Sequence, residues 1–384
     1  MKLWNFTRIH RRTAGGAGLL LAAAVAVALG PGDMSAAHAK TVTATCADTR
    51  TDAATLNSAI ASSKPGDQIL ISGTCLLTAP ITLEGDRSYL GGSRTGTVLQ
   101  QAKGANLPYL LASDTYVGND SYTGDPVSVH QLTIDCNSSH NTAATDGLVL
   151  HSWQTTAEDL QIENCAGSGI LVANATPNGT TLTGTEVNGV IQDNFISNSG
   201  VSGVYVSDSG NAVTDWHLED NYIAGSGQDG IHLENAAGWY VDGNHLYGIG
   251  GSGIYAGRAF ATSIQNNYIE DFGDNGGTGT WYGIDTTVQG GPSSTIAGNR
   301  VFMFETEKSG PHFRYIGVAQ VNYGTGAVTV TGNSIVGSGA SVDTGFYFNA
   351  GSGVSLNVTS AGNAVSSVGT KRGTGTGVTI SAGI

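Results

Sequence analysis

Along most of the chain, apolar residues come in short alternating runs rather than at helical spacing. GILV, GVYV, GIHL, GIYA, GIDT, GVAQ, GFYF and GVTI begin at Gly169, Gly203, Gly230, Gly253, Gly283, Gly317, Gly345 and Gly377, and GLVL at Gly147 belongs to the preceding turn. Such runs turn apolar side chains to one face and a single residue to the other, as a half-buried strand does. A second pattern, apolar-x-x-Asn-x-apolar, alternates with the first and places Asn164, Asn194, Asn221, Asn244, Asn267, Asn299, Asn333 and Asn363 at intervals of 23 to 34 residues. A unit of that size without a helical period cannot bury its apolar face alone, but stacked copies make a continuous core. The pattern therefore predicts an all-β chain wound as a parallel β-helix, with each Asn holding a tight bend against its neighbours above and below.

Before the first coil, AATLNSAIASSKPGD predicts one helix over about residues 52–64, with Asp52 as N-cap, Leu56 and Ile60 on one face, and Pro65-Gly66 ending it. A solenoid needs its open end covered, and this helix is the expected cap. The 57 glycines are spread through the chain rather than gathered in a linker, so one domain is expected from residue 40 to 384.

The ends and the charge narrow the compartment and the partners. Lys2, Arg8, Arg11 and Arg12 precede an apolar run from Gly18 to Leu29 and a small-residue end, Ala37-His38-Ala39, which reads as a cleavable secretory signal over residues 1–39. Arg11-Arg12 leaves a twin-arginine route open. The apolar run is short for a membrane span, so a secreted, extracellular protein without a membrane anchor is expected. Without residues 1–39, 12 basic and 29 acidic residues remain, a formal charge of −17, which argues against nucleic acid as a partner. Cys46 and Cys75 bracket a short segment, and Cys136 and Cys165 sit at similar places in adjacent repeats, so disulfides are expected within each pair. Four cysteines allow three pairings, and no two of them show metal-ligand spacing.

The repeat resembles the right-handed parallel β-helix (pectate lyase-like) superfamily of secreted carbohydrate-active enzymes, over nearly the whole chain after the leader. The resemblance implies that the Gly-apolar-x-apolar strands form the sheet whose outer face carries the substrate cleft. The NTD, GHG and RIK segments of polygalacturonases and the WIDH of calcium pectate lyases are absent.

On that outer face, alternation predicts a column of Leu171, Tyr205, His232, Tyr255 and Asp285 on consecutive rungs. Asp229 and Glu234 flank His232 in QDGIHLEN, and Arg258 follows the GIYA strand. Two insertions, EDFGDNGGTGTWY and FETEKSGPHFRYI, are expected to wall the column and to bring Trp281, Tyr282, Lys308, His312 and Arg314 beside it as substrate-binding groups. A second column, Phe195, Tyr222, His245, Tyr268 and Arg300, follows the Asn residues and is explained by ring stacking without a ligand, with sugar stacking there as the lesser alternative. His217, Glu219, Tyr240 and Asp242 are expected at the surface.

Three activities fit these residues. Proton removal beside a uronate carboxylate needs a base, an acid for the leaving oxygen and a cation, roles that His232, Tyr255 and Arg258 can fill, with Lys308 or Arg314 as substitute cation. YGID, Tyr282 to Asp285, resembles the start of the YG-apolar-DPH motif of mannuronan epimerases, and of its acid–base pair only Asp285 carries over. Hydrolysis or transfer on a neutral glycan needs paired carboxylates, with Asp229, Glu234 and Asp285 as candidates, and GQDGIHLEN is similar to the Asp-Gly strand of β-helix inulin fructotransferases. A non-catalytic glycan-binding adhesin would use the same fold and aromatic columns. Elimination on a uronate-containing polysaccharide is the favoured reading. No cofactor is required by the sequence, and Ca²⁺ bridging remains open.

Overall fold

Each strand of the repeat pairs in parallel with its counterpart one rung away, as Tyr205 does with His232, His232 with Tyr255 and Tyr255 with Asp285. The computed structural model describes residues 39–304, 312–322 and 324–382; residues 1–38 of the expected secretory signal and Lys308 lie outside the described residues. Eleven strands, from Ile81–Leu83 to Thr370–Thr374, stack as one sheet, called the front sheet below. The other two faces share a 23-stranded network that begins at Thr41–Thr45. Together they make a right-handed parallel β-helix whose interior is filled by fully buried Ile, Leu and Val, among them Leu218, Ile223, Ile231, Leu233, Val241 and Leu246.

Two sequence ladders fix the corners of each coil. Asn221 donates Nδ2 to Asn244 Oδ1 (2.9 Å) and to the Ile191 carbonyl (2.9 Å), and its backbone N–H shares the same Oδ1 (3.1 Å). Asn194, Asn244, Asn267, Asn299 and Asn333 repeat this geometry, and the chain of amides ends on Asn363. Every such amide donates to the coil before it and to the coil after it, so a buried polar corner is satisfied within the protein. The glycines serve closeness. A Cβ on Gly230 would stand 2.5 Å from Leu246 Cδ2 and 2.8 Å from the Gly253 carbonyl, and one on Gly253 would stand 2.6 Å from the Gly283 carbonyl.

Three expectations are corrected here. Asn164 is not in the ladder: it has a left-handed φ of 55°, and the preceding rung of the ladder is Leu160, whose N–H donates to Asn194 Oδ1 (2.9 Å). Gly317 does not hold the corner. It lies opposite Asp285 under the Tyr282 ring, where a Cβ would approach Cε1 to 2.5 Å, while Tyr315 occupies the inner position. Gly377 precedes Val378–Ser381, which pairs with Ser355–Ala361 on another face.

The expected helix is present as α1, Asp52–Ser62, packed on the first strands, with Leu56 and Ile60 in the core. Its N-cap position is Thr51, not Asp52. The Asp52 carboxylate instead gathers the N–H groups of Thr49 (2.8 Å) and Leu76 (3.1 Å), tying the loop before the helix to the neighbouring strand. Both disulfides form as paired in sequence, Cys46 with Cys75 and Cys136 with Cys165, each joining residues 29 apart on adjacent coils. Among the described residues, no helix is long and apolar enough to cross a membrane.

Candidate active site

The column on the front sheet runs Leu171, Tyr205, His232, Tyr255 and Asp285 in register, and continues through Gly317 to Tyr347. Because Ile231 and Leu233 turn into the coil, His232 between them must turn out. Its ring lies edge to face with Tyr205 (5.0 Å between centroids) and tilted over Tyr255 (4.6 Å). Asp229, at the corner before the strand, accepts His232 Nδ1 with Oδ2 (2.7 Å) and the Ser252 N–H with Oδ1 (2.7 Å). A carboxylate at Nδ1 fixes the proton there and leaves Nε2 with its lone pair.

Glu234 is equally committed. Its Oε1 accepts the Tyr205 hydroxyl (2.6 Å) and its Oε2 the Asp208 N–H (2.8 Å). Burial, then the bond to Glu234, pushes the Tyr205 hydroxyl up to about 12. Tyr255 is also raised, first by burial and then by the charges of Asp285, Asp229 and Glu234, so its hydroxyl keeps its proton at neutral pH.

Asp285 behaves differently. Among the described residues its carboxyl makes no hydrogen bond, and burial pushes its pKa up to about 6, with Asp229 adding to the shift and Arg314 opposing it. Arg314 is held between two rings on the same face. Its guanidinium lies 3.7 Å over the Tyr347 ring and donates to the Tyr282 hydroxyl (2.9 Å). Arg258, the cation first expected at the column, sits in strand Ile254–Ala259 at an irregularity between Ala256 and Ala259, with a left-handed φ of 54°, its N–H on Thr287 Oγ1 (2.8 Å) and its Nε turned to Gln289 (3.4 Å). The cation acting on Asp285 is thus Arg314.

The insertions deliver their residues unevenly. Trp281 does not line the column: one residue out of phase with Tyr282, it packs on the core and donates Nε1 to the Gly276 carbonyl (3.0 Å). His312 is exposed, opposite Thr280 at the start of its strand. Tyr347 was missed in sequence, although GFYF marks it as the outward residue of its strand.

The second column stacks as expected, Phe195 on Tyr222 (5.2 Å, 3° between planes), Tyr222 against His245, His245 against Tyr268, and Arg300 over Tyr268 (5.0 Å). A cleft of ≈ 620 Å³ opens at its head, and there Arg94 is paired with Asp159 and His130 with Glu158. His217 and Glu219 pair with each other on the remaining face.

The raised Asp285 makes a test of sign. Between about pH 4 and 6 the folded state keeps a proton that an unfolded carboxyl, near 3.8, has lost, so this group lowers stability as pH rises through that window. Asp285→Asn is expected to melt higher than the parent protein at pH 7 and at the same temperature near pH 4. A difference in melting temperature that does not vary with pH would remove the buried, raised carboxyl from the account.

Comparison with known proteins starts from this solenoid. The sequence pattern of the NosD family, described as periplasmic copper-binding protein (NosD), matches residues 81–300. The chain belongs to the NosD family. A search of curated proteins finds no match. Among solved structures, the A-module of Azotobacter vinelandii mannuronan C-5 epimerase AlgE6 superposes with a TM-score of 0.55 at 15% identity, over 87% of this chain and 94% of that one. The N-terminal fragment of bacteriophage Phi29 gene product 12 gives 0.58 at 14% identity, over 86% and 63%. At these identities the likeness is one of fold.

Copper belongs to the description of the NosD family, and the donor set of the described residues does not fit it. All four cysteines are in disulfides, and no three His, Cys, Asp or Glu side chains converge among the described residues. His130, His217, His232 and His245 instead pair singly with carboxylates, and His151 bonds to backbone carbonyls.

Proposed function

We propose that the protein is a carbohydrate-active enzyme that cleaves a uronate-containing polysaccharide by β-elimination on the outer face of the front sheet. The observation that carries this reading is the state of the three carboxylates. Hydrolysis with retention or inversion needs two carboxyl groups free to meet sugar or water. Asp229 and Glu234 each have both oxygens engaged, which leaves Asp285 without a partner of its kind. A base is available instead in His232 Nε2, with Tyr255 as a protonated acid one rung away.

In the proposed step, His232 Nε2 takes the proton from the carbon beside the uronate carboxylate. The freed electron pair forms a carbon–carbon double bond as the bond to the neighbouring glycosidic oxygen breaks, and Tyr255 gives that oxygen its proton. No water is consumed. Arg314, held further along the column on Tyr347 and Tyr282, pairs with the carboxylate of a neighbouring uronate unit, and Asp285, protonated below about pH 6, gives a hydrogen bond to the chain between. Proton return from His232 to Tyr255 resets the pair. The mannuronan of the AlgE6 epimerase is one polymer of this class.

A panel of uronans, fructans and glucans, followed by absorbance of unsaturated sugar and by reducing ends, tests the class. Reducing ends without absorbance would move the assignment to a hydrolase, cyclic products to a fructotransferase, and binding without products to an adhesin. Arg314→Ala is expected to raise KM on the uronan by at least about tenfold, the loss of one charge-assisted contact of roughly 1.5 to 3 kcal/mol. Unchanged KM in that variant would mean that the carboxylate is held elsewhere.

A further inference from the structure

The outer face of the front sheet is open at His232 but closed three strands earlier. Val149 and Ala112 belong to the same outward column, opposite Leu171 and each other, yet both are fully buried. Their cover is a segment that the sequence repeat does not announce. After strand Tyr109–Ser113 the chain makes a short helix, α2, Asp114–Gly118, ended by Asn119 at a left-handed φ of 60°. Tyr116 from this helix packs edge to face on Tyr109 (5.6 Å) and, with Leu171, covers Ala112, Val149 and Ala173.

The cover is fastened from several sides. Thr115 Oγ1 donates to the His151 carbonyl (2.9 Å), and Gly85 N–H to Asp114 Oδ2 (3.0 Å). A second insertion, residues 174–183, locks onto it through Asn178 N–H to Asn119 Oδ1 (3.0 Å) and Thr183 N–H to the Ser121 carbonyl (2.9 Å). The result is a fixed wall across the column. From Leu171 at its foot to His232 there are two rung spacings, roughly 10 Å, with Tyr205 between. On the other side the column continues through Asp285, then Gly317 under the Tyr282 ring, to Tyr347 under the Arg314 guanidinium.

We propose that the cleft takes one end of a glycan chain against this wall and releases a single short product of one or two sugar units. A chain laid along the sheet cannot run past Tyr116, so only its terminal units fit between the wall and the reacting groups. The inference rests on the proposed function for the location of the chemistry, and on the buried Val149 and Ala112 for the closed end.

Binding of uronan oligomers carrying a bulky fluorescent tag at either end, measured with His232→Ala, tests it without turnover. One tagged end should abolish binding while the other is tolerated, and affinity should stop rising once an oligomer fills the open rungs. Equal tolerance of both tags would overturn the closed end. With the parent protein, one short product should dominate from the earliest times while viscosity falls slowly; a ladder of lengths with an early fall in viscosity would also overturn it. Tyr116→Ala should shift products to longer sizes if the variant retains its melting temperature, and an unchanged pattern would mean that the wall does not set product length. One-ended binding without cleavage would sink the elimination chemistry alone, and cleavage with scattered lengths would sink the wall alone.

Discussion

Replacing His232 by alanine is expected to lower turnover on the uronan of the proposed reaction by roughly two to four orders of magnitude and to leave the melting temperature unchanged, the loss of a general base. The separation of the two effects follows from where the ring sits. Ile231 and Leu233 hold the coil from inside, whereas the imidazole meets Asp229, Tyr205 and Tyr255 on the outer face. Tyr255→Phe should fall comparably, because it loses the proton donor while keeping the ring that packs on His232. Asp229→Asn should fall less in turnover and should lose some stability as well, since Oδ1 also holds the Ser252 N–H of the next coil. If His232→Ala and Tyr255→Phe both keep near-normal rates, the chemistry lies elsewhere, and the column from Phe195 to Arg300 becomes the place to look.

Asn244→Ala gives the opposite signature, a large loss of stability with no direct effect on chemistry. Its amide donates to the Leu218 carbonyl (2.8 Å) and to Asn267 Oδ1 (3.0 Å), and accepts the Asn221 N–H (3.1 Å) and Nδ2 (2.9 Å). Alanine leaves the Asn221 N–H and one Nδ2 hydrogen of Asn221 buried without an acceptor. At about 1 to 3 kcal/mol for each orphaned group, the expected loss is roughly 2 to 6 kcal/mol, readable as a lower denaturation midpoint. Neighbouring coils share the ladder, so the loss should spread to both sides of the substitution. An unchanged midpoint together with lost activity would reverse the assignment and make the ladder functional.

Much of the fold was legible because strand alternation and stacking leave separate marks in sequence. The apolar pairs, the corner glycines and the ladder asparagines each repeat once per coil, and the disulfides join residues at matching places on adjacent coils. The errors came where one residue type serves two physical purposes. Asn164 looks like a ladder residue, but asparagine is also tolerated at left-handed bends, and Asn198 shows the same geometry one rung on. Gly317 looks like a corner glycine, but there it clears space for the Tyr282 ring.

At the site, alternation alone placed His232, Tyr255 and Asp285 on one column. It could not reveal which carboxylates were already engaged. That depends on Ser252 and Asp208, backbone donors from neighbouring coils whose identity carries no sequence signal. Nor could it choose Arg314 over Arg258, because the choice depends on a strand that starts earlier than its glycine suggested and brings Arg314 opposite Tyr282. The wall over Val149 was invisible for a similar reason: α2 is five residues long and interrupts the repeat without a periodic trace.

The central claim is that this face removes a proton rather than adding water. Its most direct test is the ratio of unsaturated ends to new reducing ends when the purified protein degrades a uronan. Elimination through His232 and Tyr255 predicts one unsaturated end for each reducing end, and loss of both signals together in His232→Ala. New reducing ends without unsaturation would contradict it, and would mean that Asp285 works with a carboxylate freed from its present hydrogen bonds.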